Sequence, residues 1–239
     1  MKQFTGYAVL VLLALSHTGC DEHGVKGSGV SSSETRKLGD FHAVSLRGSM
    51  DIDYTDGPAE DIVIEAEDNI LPLITTEIKD GQLIVGMKPN TSIRTSKKIR
   101  VKVTAPDVEE LSLAGSGTIR LVNEWEQADH IKVSVTGSGD IVGSVNSPNV
   151  SVAVTGSGDV NMKGETKDLD VDIAGSGTFK GYDLKAENTN VHVGGSGDAE
   201  VHASVKLDVH VSGSGSVDYH GNPQVNSSTS GSGSVHKRD

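Results

Sequence analysis

Aromatic side chains are scarce in this sequence: its 239 residues include three Phe, four Tyr and one Trp. Aliphatic side chains, mostly Val, Ile and Leu, must therefore supply the buried surface. Glycine is abundant, with 29 residues, which exceeds its usual share of a soluble domain. These proportions favour a thin core, in which small apolar side chains face one another, over a thick globular core.

Basic residues are also few: 21 Lys and Arg against 33 Asp and Glu give a net charge of −12. A nucleic-acid partner is excluded, because a phosphate backbone requires a basic patch. The glycine-rich segment 137–143 is one residue longer than a dinucleotide-binding motif, and no helical pattern follows it. The nucleophile elbow of esterases does not occur. The sequence therefore predicts no nucleic-acid partner, no cofactor and no catalytic residue.

Cysteine occurs once, at Cys20, so no disulfide can form within the chain. A positively charged start, a short apolar run over 8–15 and small residues before Cys20 are typical of a secretory signal peptide. The apolar run is too short for a transmembrane helix. Thr18-Gly19-Cys20 resembles a bacterial lipobox, although His17 replaces the usual Leu. We predict a signal peptide over 1–19 and a palmitate-bearing membrane anchor on Cys20; an ordinary signal peptide with an incidental cysteine is the alternative.

The segment after the cysteine, residues 20–39, is polar, rich in Gly and Ser, and without apolar periodicity. Such a composition predicts a flexible tether between the lipid and the folded domain. Gly27-Ser28-Gly29 lacks the alternating apolar residues that flank the later triplets, so we interpret it as a linker.

A Gly-Ser-Gly triplet recurs through the second half of the chain at spacings of 18 to 22 residues. A repeat of this length is typical of a solenoid. We interpret the triplet glycines as structural turn residues, because glycine reaches positive φ at low cost. They are Gly115 and Gly117, Gly137 and Gly139, Gly156 and Gly158, Gly175 and Gly177, Gly195 and Gly197, Gly213 and Gly215, and Gly231 and Gly233.

Apolar and polar residues alternate on both sides of the triplets, as in Val133-Ser134-Val135 before one and Asp140-Ile141 after it. This alternation predicts short strands with one buried face. Each repeat would form a strand, a corner, a second strand and a returning loop, with successive coils about 4.8 Å apart. The sequence therefore predicts an all-β parallel β-helix; a propeller or a sandwich is the alternative, but propeller blades need about 40 residues.

The front half is less regular but contains related patterns. Segment 44–52 follows the repeat template with Met50 in place of the second glycine, and Asp80-Gly81 predicts a hairpin turn. We predict a single β-helix domain over 40–239, in which irregular coils over 40–110 cap the N-terminal end. The Gly-Ser-Gly repeats follow over 111–239, and the polar last coil caps the other end.

Several of these segments together resemble the DUF2807 family, described as an auto-transporter adhesin "head GIN" domain. The matching features are 41–52, 80–85, 101–106, the triplet series, and 217–223 before the last triplet. The resemblance covers nearly all of residues 40–236. It implies a right-handed parallel β-helix on a secreted or lipid-anchored protein of Gram-negative bacteria, and it supplies no catalytic residues.

Histidines recur at equivalent positions of neighbouring repeats. His192 and His210 each lie three residues before a triplet, and Asp172 precedes them at the same position. Stacked about 5 Å apart, two imidazoles and a carboxylate form a candidate transition-metal site, with a solvated polar ladder as the alternative. A second equivalent set, seven residues after the first glycine, comprises Tyr182, His202 and His220.

The sequence thus predicts a non-enzymatic lipoprotein of a Gram-negative cell envelope that presents a rigid β-helical surface for binding or adhesion. Its partners would be the membrane, through Cys20, and an envelope protein or polysaccharide. The alternative is a carbohydrate-active enzyme on the same fold, a polysaccharide lyase or hydrolase. A flat ladder of Ser, Thr and Asp would favour binding, and a concave face with converging acids and aromatics would favour the enzyme.

Overall fold

The computed structural model describes residues 24–127 and 129–239. One 3-10 turn (Leu71–Leu73) interrupts an otherwise all-β chain, and no helix in these residues is long and apolar enough to cross a membrane. The strands are β1 (Val25–Lys26), β2 (Ser31–Arg36), β3 (Ala43–Gly48), β4 (Asp51–Asp56), β5 (Ile62–Glu67), β6 (Ile74–Lys79), β7 (Gln82–Met87), β8 (Ile93–Arg94), β9 (Arg100–Ala105), β10 (Glu110–Gly115), β11 (Thr118–Glu126), β12 (Ile131–Gly137), β13 (Asp140–Asn146), β14 (Asn149–Gly156), β15 (Asp159–Gly175), β16 (Thr178–Gly195), β17 (Asp198–Gly213), β18 (Ser216–His220), β19 (Gln224–Gly231) and β20 (Ser234–Lys237).

Two parallel ladders run the length of the molecule and confirm the predicted parallel β-helix. The first ladder holds the strands before the corners, and the second ladder holds the strands after them. The triplets stack in register, with Gly137 opposite both Gly115 and Gly156. In the later coils the returning loop disappears, because β15, β16 and β17 each continue from the second ladder into the first ladder of the next coil.

The core is the thin stack of aliphatic side chains that the composition predicts. Alternate residues point inwards, so that Val133, Val135, Val152 and Val154 are almost wholly buried while their neighbours face solvent. Larger side chains gather towards the N-terminal end. There the rings of Tyr54 and Trp125 meet edge to face, and the residues donate hydrogen bonds to the carbonyl oxygens of Ala105 and Val108, respectively.

The corners bring the backbones of successive coils so close that a side chain cannot fit between them. Gly156 has φ +115°, and a Cβ there would lie 2.5 Å from the carbonyl oxygen of Gly137. A Cβ on Gly158, the second glycine, would lie 2.3 Å from the oxygen of Gly139. The intervening Ser157 is exposed and donates its N–H to Gly137 at 2.8 Å. Backbone conformation and close approach together therefore account for the triplet.

Two adjacent glycines allow a direct test of this explanation. Gly195→Ala should lower the free energy of unfolding by about 1–3 kcal/mol, because φ is +127° and the new Cβ would lie 2.4 Å from the oxygen of Gly175. Gly194→Ala should be nearly neutral, since the nearest atom to its Cβ would be the oxygen of Ile173 at 3.7 Å. Urea denaturation measures both, and equal losses would contradict the explanation.

The predicted front coils are present, but their order in space differs from their order along the chain. The template at 44–52 is confirmed: β3 pairs with β10 in register, and β4 pairs with β11. However, β7 pairs with the free edge of β3, and β9 pairs with the free edge of β4. The coil formed by β7 and β9 therefore lies outside the coil formed by β3 and β4, although it comes later in the chain. An antiparallel excursion through β5 and β6 makes this possible, and the hairpin turn at Asp80-Gly81 is confirmed between β6 and β7.

The predicted flexible tether was wrong for residues 24–36. Strand β1 pairs in parallel with β8, and β2 pairs in antiparallel with β5 over six residues. The predicted tether began at Cys20 and followed the predicted signal peptide 1–19; residues 1–23 lie outside the described part of the chain. Strand β2 was missed because it is an exposed edge strand, whose Ser-rich sequence shows no apolar alternation.

A buried carboxylate holds this N-terminal segment in place. Glu67 has no exposed surface and accepts hydrogen bonds from the Gly29 N–H at 2.8 Å, the Thr95 hydroxyl at 2.5 Å and the Ser96 hydroxyl at 2.9 Å. These bonds, led by that from Thr95, hold the pKa of Glu67 below its ordinary value. The segment Gly27-Ser28-Gly29, interpreted from the sequence as a linker, is therefore held in the fold. Glu67 of β5 joins its Gly29 to Thr95 and Ser96 of the turn before β9.

Candidate binding surface

The outer face of the first ladder carries rows of mostly polar side chains. Because the coils stack in register, side chains at one position of successive coils form a straight row, about 4.8 Å apart. The row three residues before the corner glycine comprises Ser112, Ser134, Ala153, Asp172, His192, His210 and Ser228. The row two residues earlier comprises Glu110, Lys132, Ser151, Asp170, Asn190, Asp208 and Asn226.

The structure places the three candidate metal ligands in one row. Asp172 pairs with His192, and His192 pairs with His210, all three exposed. The two imidazoles stack face to face, with centroids 5.0 Å apart and planes within 4°. Stacked rings direct their nitrogens side by side rather than towards a common point. Among the described residues no group of three or more His, Cys, Asp or Glu side chains is arranged to hold a metal ion.

The carboxylates of the second row are occupied by neighbouring coils. Asn190 donates its side-chain amide to Asp170 at 3.2 Å, and Asn226 donates likewise to Asp208 at 3.3 Å. Hydrogen bonds from Lys206 and from Asn226 lower the pKa of the Asp208 carboxyl. These contacts connect neighbouring coils along the surface, and the row remains polar.

The second equivalent set does meet, on the outer face of the second ladder. His202 and His220 are neighbours in register. A bulge in β16 between Gly181 and Lys185 lets the ring of Tyr182 reach His220, with centroids 4.1 Å apart and planes within 9°. Because Tyr182 presents one face to His220, this ring is a packing element rather than an open platform for a sugar.

Charged groups enclose this stacked pair. Arg238 forms an ion pair with Asp218 at 2.8 Å, and its backbone N–H bonds to the carbonyl oxygen of Tyr219 at 2.9 Å. Burial, followed by the negative charges of Asp218 and Glu200, raises the pKa of Tyr182. The last residues of the described chain are thereby held against the bulge.

The imidazole of His202 lies beneath the same cluster. Its pKa is lowered, first by burial and then by the positive charge of Lys185 and by His220. Its Nδ1 atom is buried without a hydrogen-bond partner among the described residues. The fold therefore favours the neutral imidazole.

The lowered pKa of His202 predicts a pH-dependent stability. The unfolded chain takes up the proton near pH 6.5 and the folded chain at lower pH. The stabilisation is therefore complete above about pH 6.5 and is lost as the pH falls through the lowered pKa. The free energy of unfolding of the wild type should fall between about pH 7 and 5. This fall should be smaller in His202→Gln and unchanged in the exposed control His210→Gln. Urea denaturation at each pH measures this, and identical slopes for wild type and His202→Gln would contradict it.

Sequence spacing missed a shallow groove near the N-terminal end. It has a volume of about 530 Å³, and its lining includes His42, Arg47, Lys79, His130 and Lys132. Lys132 forms an ion pair with Glu110 at 3.3 Å, which the shared repeat position of these two residues could have indicated. Arg47 and Lys79 come from strands that meet only through the antiparallel excursion, so no local pattern places them together.

Comparisons with solved structures give the same fold. A protein described as a "putative adhesin" from Bacteroides fragilis is 25% identical, with a TM-score of 0.85, over 90% of this chain and 100% of the other. A "putative lipid binding protein" from Parabacteroides distasonis is 23% identical, with a TM-score of 0.75, over 90% and 99% of the two chains. Its lower identity shows the fold alone. A comparison with curated proteins finds no match.

The family resemblance seen in the sequence is confirmed. The model of the DUF2807 family, described as "Putative auto-transporter adhesin, head GIN domain", matches residues 40–223. This range holds the template coil, the antiparallel excursion and the coils with the first six triplets. The chain belongs to the DUF2807 family.

Proposed function

We propose that this chain is a non-enzymatic, lipid-anchored protein of a Gram-negative cell envelope that binds an envelope polysaccharide or protein through the outer face of the first ladder. The observation that carries the proposal is the register of that face, on which rows of Ser, Asn, Asp and His repeat from coil to coil. The family description and the Bacteroides fragilis protein, both named as adhesins, support a binding role at the cell surface.

The chemistry of the rows suits an extended, repetitive ligand. Hydroxyls and amides provide donors and acceptors at a fixed interval, so a polymer with many hydroxyl groups would meet the same partners at every coil. A rigid surface loses little conformational entropy on binding, which compensates for weak individual contacts. Two carboxylates of this face, Asp170 and Asp208, accept hydrogen bonds from amides of the neighbouring coils. This arrangement favours binding over the alternative of a polysaccharide lyase or hydrolase.

A bulky side chain on the outer face of the first ladder should disrupt binding. We expect residues 21–239, which keep every described residue, to bind at least one member of a panel of envelope polysaccharides and proteins. Thr155→Trp, on the first ladder, should weaken that binding about tenfold, equivalent to 1.4 kcal/mol. Asn161→Trp, equally exposed on the second ladder, is the matched control and should have little effect. Release of oligosaccharide products from any member of the panel would refute the non-enzymatic role.

The lipid anchor is tested separately in cells. Growth with labelled palmitate should label the wild-type chain but not Cys20→Ala, because the thiol of Cys20 is the only cysteine sulfur. The variant His17→Leu restores the usual lipobox residue and should be labelled at least as strongly as the wild type. Equal labelling of wild type and Cys20→Ala would show that the anchor is elsewhere.

A further inference from the structure

Positive charge is concentrated in one coil of this acidic chain. Residues 79–102 contain seven Lys and Arg and a single acid, Asp80, which gives this segment a net charge of +6 in a chain of −12. Apart from Lys79, the segment contains β7, β8 and the first half of β9, which belong to the coil that lies outside the first coil of the chain at the N-terminal end. The concentration of charge is therefore located at one end of the β-helix.

The charges project from an enlarged corner. Other coils turn from the first to the second ladder within three residues, Gly-Ser-Gly or Gly48-Ser49-Met50, whereas the outer coil uses all of residues 88–99 between β7 and β9. Lys88, Arg94, Lys97 and Lys98 are all exposed on this turn, and Lys26 of β1 lies beside Arg94. We call these five residues the basic corner.

Much of this charge is not neutralised by the protein. Among the described residues neither Lys26 nor Lys88 has an ion-pair partner, and Lys97 bonds to the hydroxyl of Ser31 at 2.8 Å. Lys98 lies 3.6 Å from Asp51 but keeps 79% of its side chain exposed. Acidic groups lie close by as well as in the coils beyond residue 105: segment 51–68 holds eight Asp and Glu and no Lys or Arg, and its Asp51 and Glu67 contact Lys98 and Thr95.

Apolar side chains are exposed beside the basic corner. Five large hydrophobic residues are exposed in the described chain, and two of them, Val25 and Val30, lie next to it in the same N-terminal segment. Val25 donates its N–H to the carbonyl oxygen of Ser92 at 2.8 Å, which fixes it against the turn. Basic side chains flanked by apolar ones suit the interface between phospholipid headgroups and acyl chains.

The position of Cys20 identifies the partner. Gly24, which lies against Ser92, is four residues from Cys20, a distance that the chain spans in at most about 14 Å. An acyl chain on Cys20 would therefore hold the basic corner near the bilayer surface, within about a Debye length or two. Strands β1 and β2 remove the long tether that would otherwise let the domain move away.

From these observations we propose that the basic corner is a membrane-contacting foot, which binds the phosphate groups of an anionic phospholipid bilayer and sets the N-terminal end of the β-helix on the membrane. The inference rests on the proposed lipid anchor and adds a second, electrostatic attachment to it. Two attachments give more stable membrane binding than one. The first ladder would then point away from the bilayer along its length, with the ligand-binding face accessible.

Lysine reactivity on vesicles tests this orientation. Residues 20–239 are coupled through the Cys20 thiol to a maleimide phospholipid, in vesicles of phosphatidylcholine alone or of equal parts phosphatidylcholine and phosphatidylglycerol. Acetylation of each lysine is followed by mass spectrometry. Lys26, Lys88, Lys97 and Lys98 should react about threefold more slowly on the anionic vesicles at low salt, and this difference should vanish near 0.5 M salt. Lys163, Lys167 and Lys185, exposed on distant coils, should react equally on both.

Charge reversal provides the matched control, with Lys97 as the remaining reporter. In Lys26→Glu/Lys88→Glu/Lys98→Glu the protection of Lys97 should be lost, whereas Lys163→Glu/Lys167→Glu/Lys185→Glu, with the same change in total charge, should retain it. Equal reactivity of the basic corner on both vesicles, equal protection of all lysines, or loss of protection in both variants would overturn the proposal. Coupling supplies the anchor chemically, so this result is independent of palmitate labelling in cells.

Discussion

The close approach of backbones at the corners is the constraint on which the rest of the structure depends. The carbonyl oxygen of Gly137 accepts the N–H of Ser157 at 2.8 Å and would lie 2.5 Å from a Cβ on Gly156. Each corner therefore fixes the next coil directly over the last, with neither room nor freedom for a shift of one residue. Exact stacking in turn aligns the inward valines into one core and the outward polar residues into straight rows.

The same constraint explains which features could be predicted from the sequence. Corners, strands and rows repeat locally, so period and alternation were sufficient to place Gly115 to Gly233 and to bring Asp172, His192 and His210 into one row. The stacking of β7 and β9 outside β3 and β4 depends on pairings between distant segments, for which no local pattern exists. Strand β2 and the contact of Gly29, just before it, with Glu67 are stabilised by hydrogen bonds instead of apolar burial, so hydrophobic periodicity could not reveal them.

Irregular parts of the molecule are therefore the places where distinct chemical environments arise. Along the regular rows every coil gives its side chains nearly the same surroundings, which suits repeated weak contacts. The bulge at Tyr182 breaks this uniformity: there, burial shifts the pKa of both Tyr182 and His202. Catalytic groups need environments that differ from those of their neighbours. A regular ladder offers few such differences, which is a physical reason to favour binding for this surface.

The two ends of the β-helix close the core in different ways, so the two ends are chemically distinct. At the C-terminal end the strand β19 is exposed throughout and presents Ser227 and Thr229 at positions that valines occupy in β17. At the N-terminal end an antiparallel sheet, the buried Glu67 and large aromatic side chains cover the core. The basic corner lies at this N-terminal end. The proposed membrane attachment would act through β1 and β2, which pair with β8 and β5 and so connect it to the rest of this end.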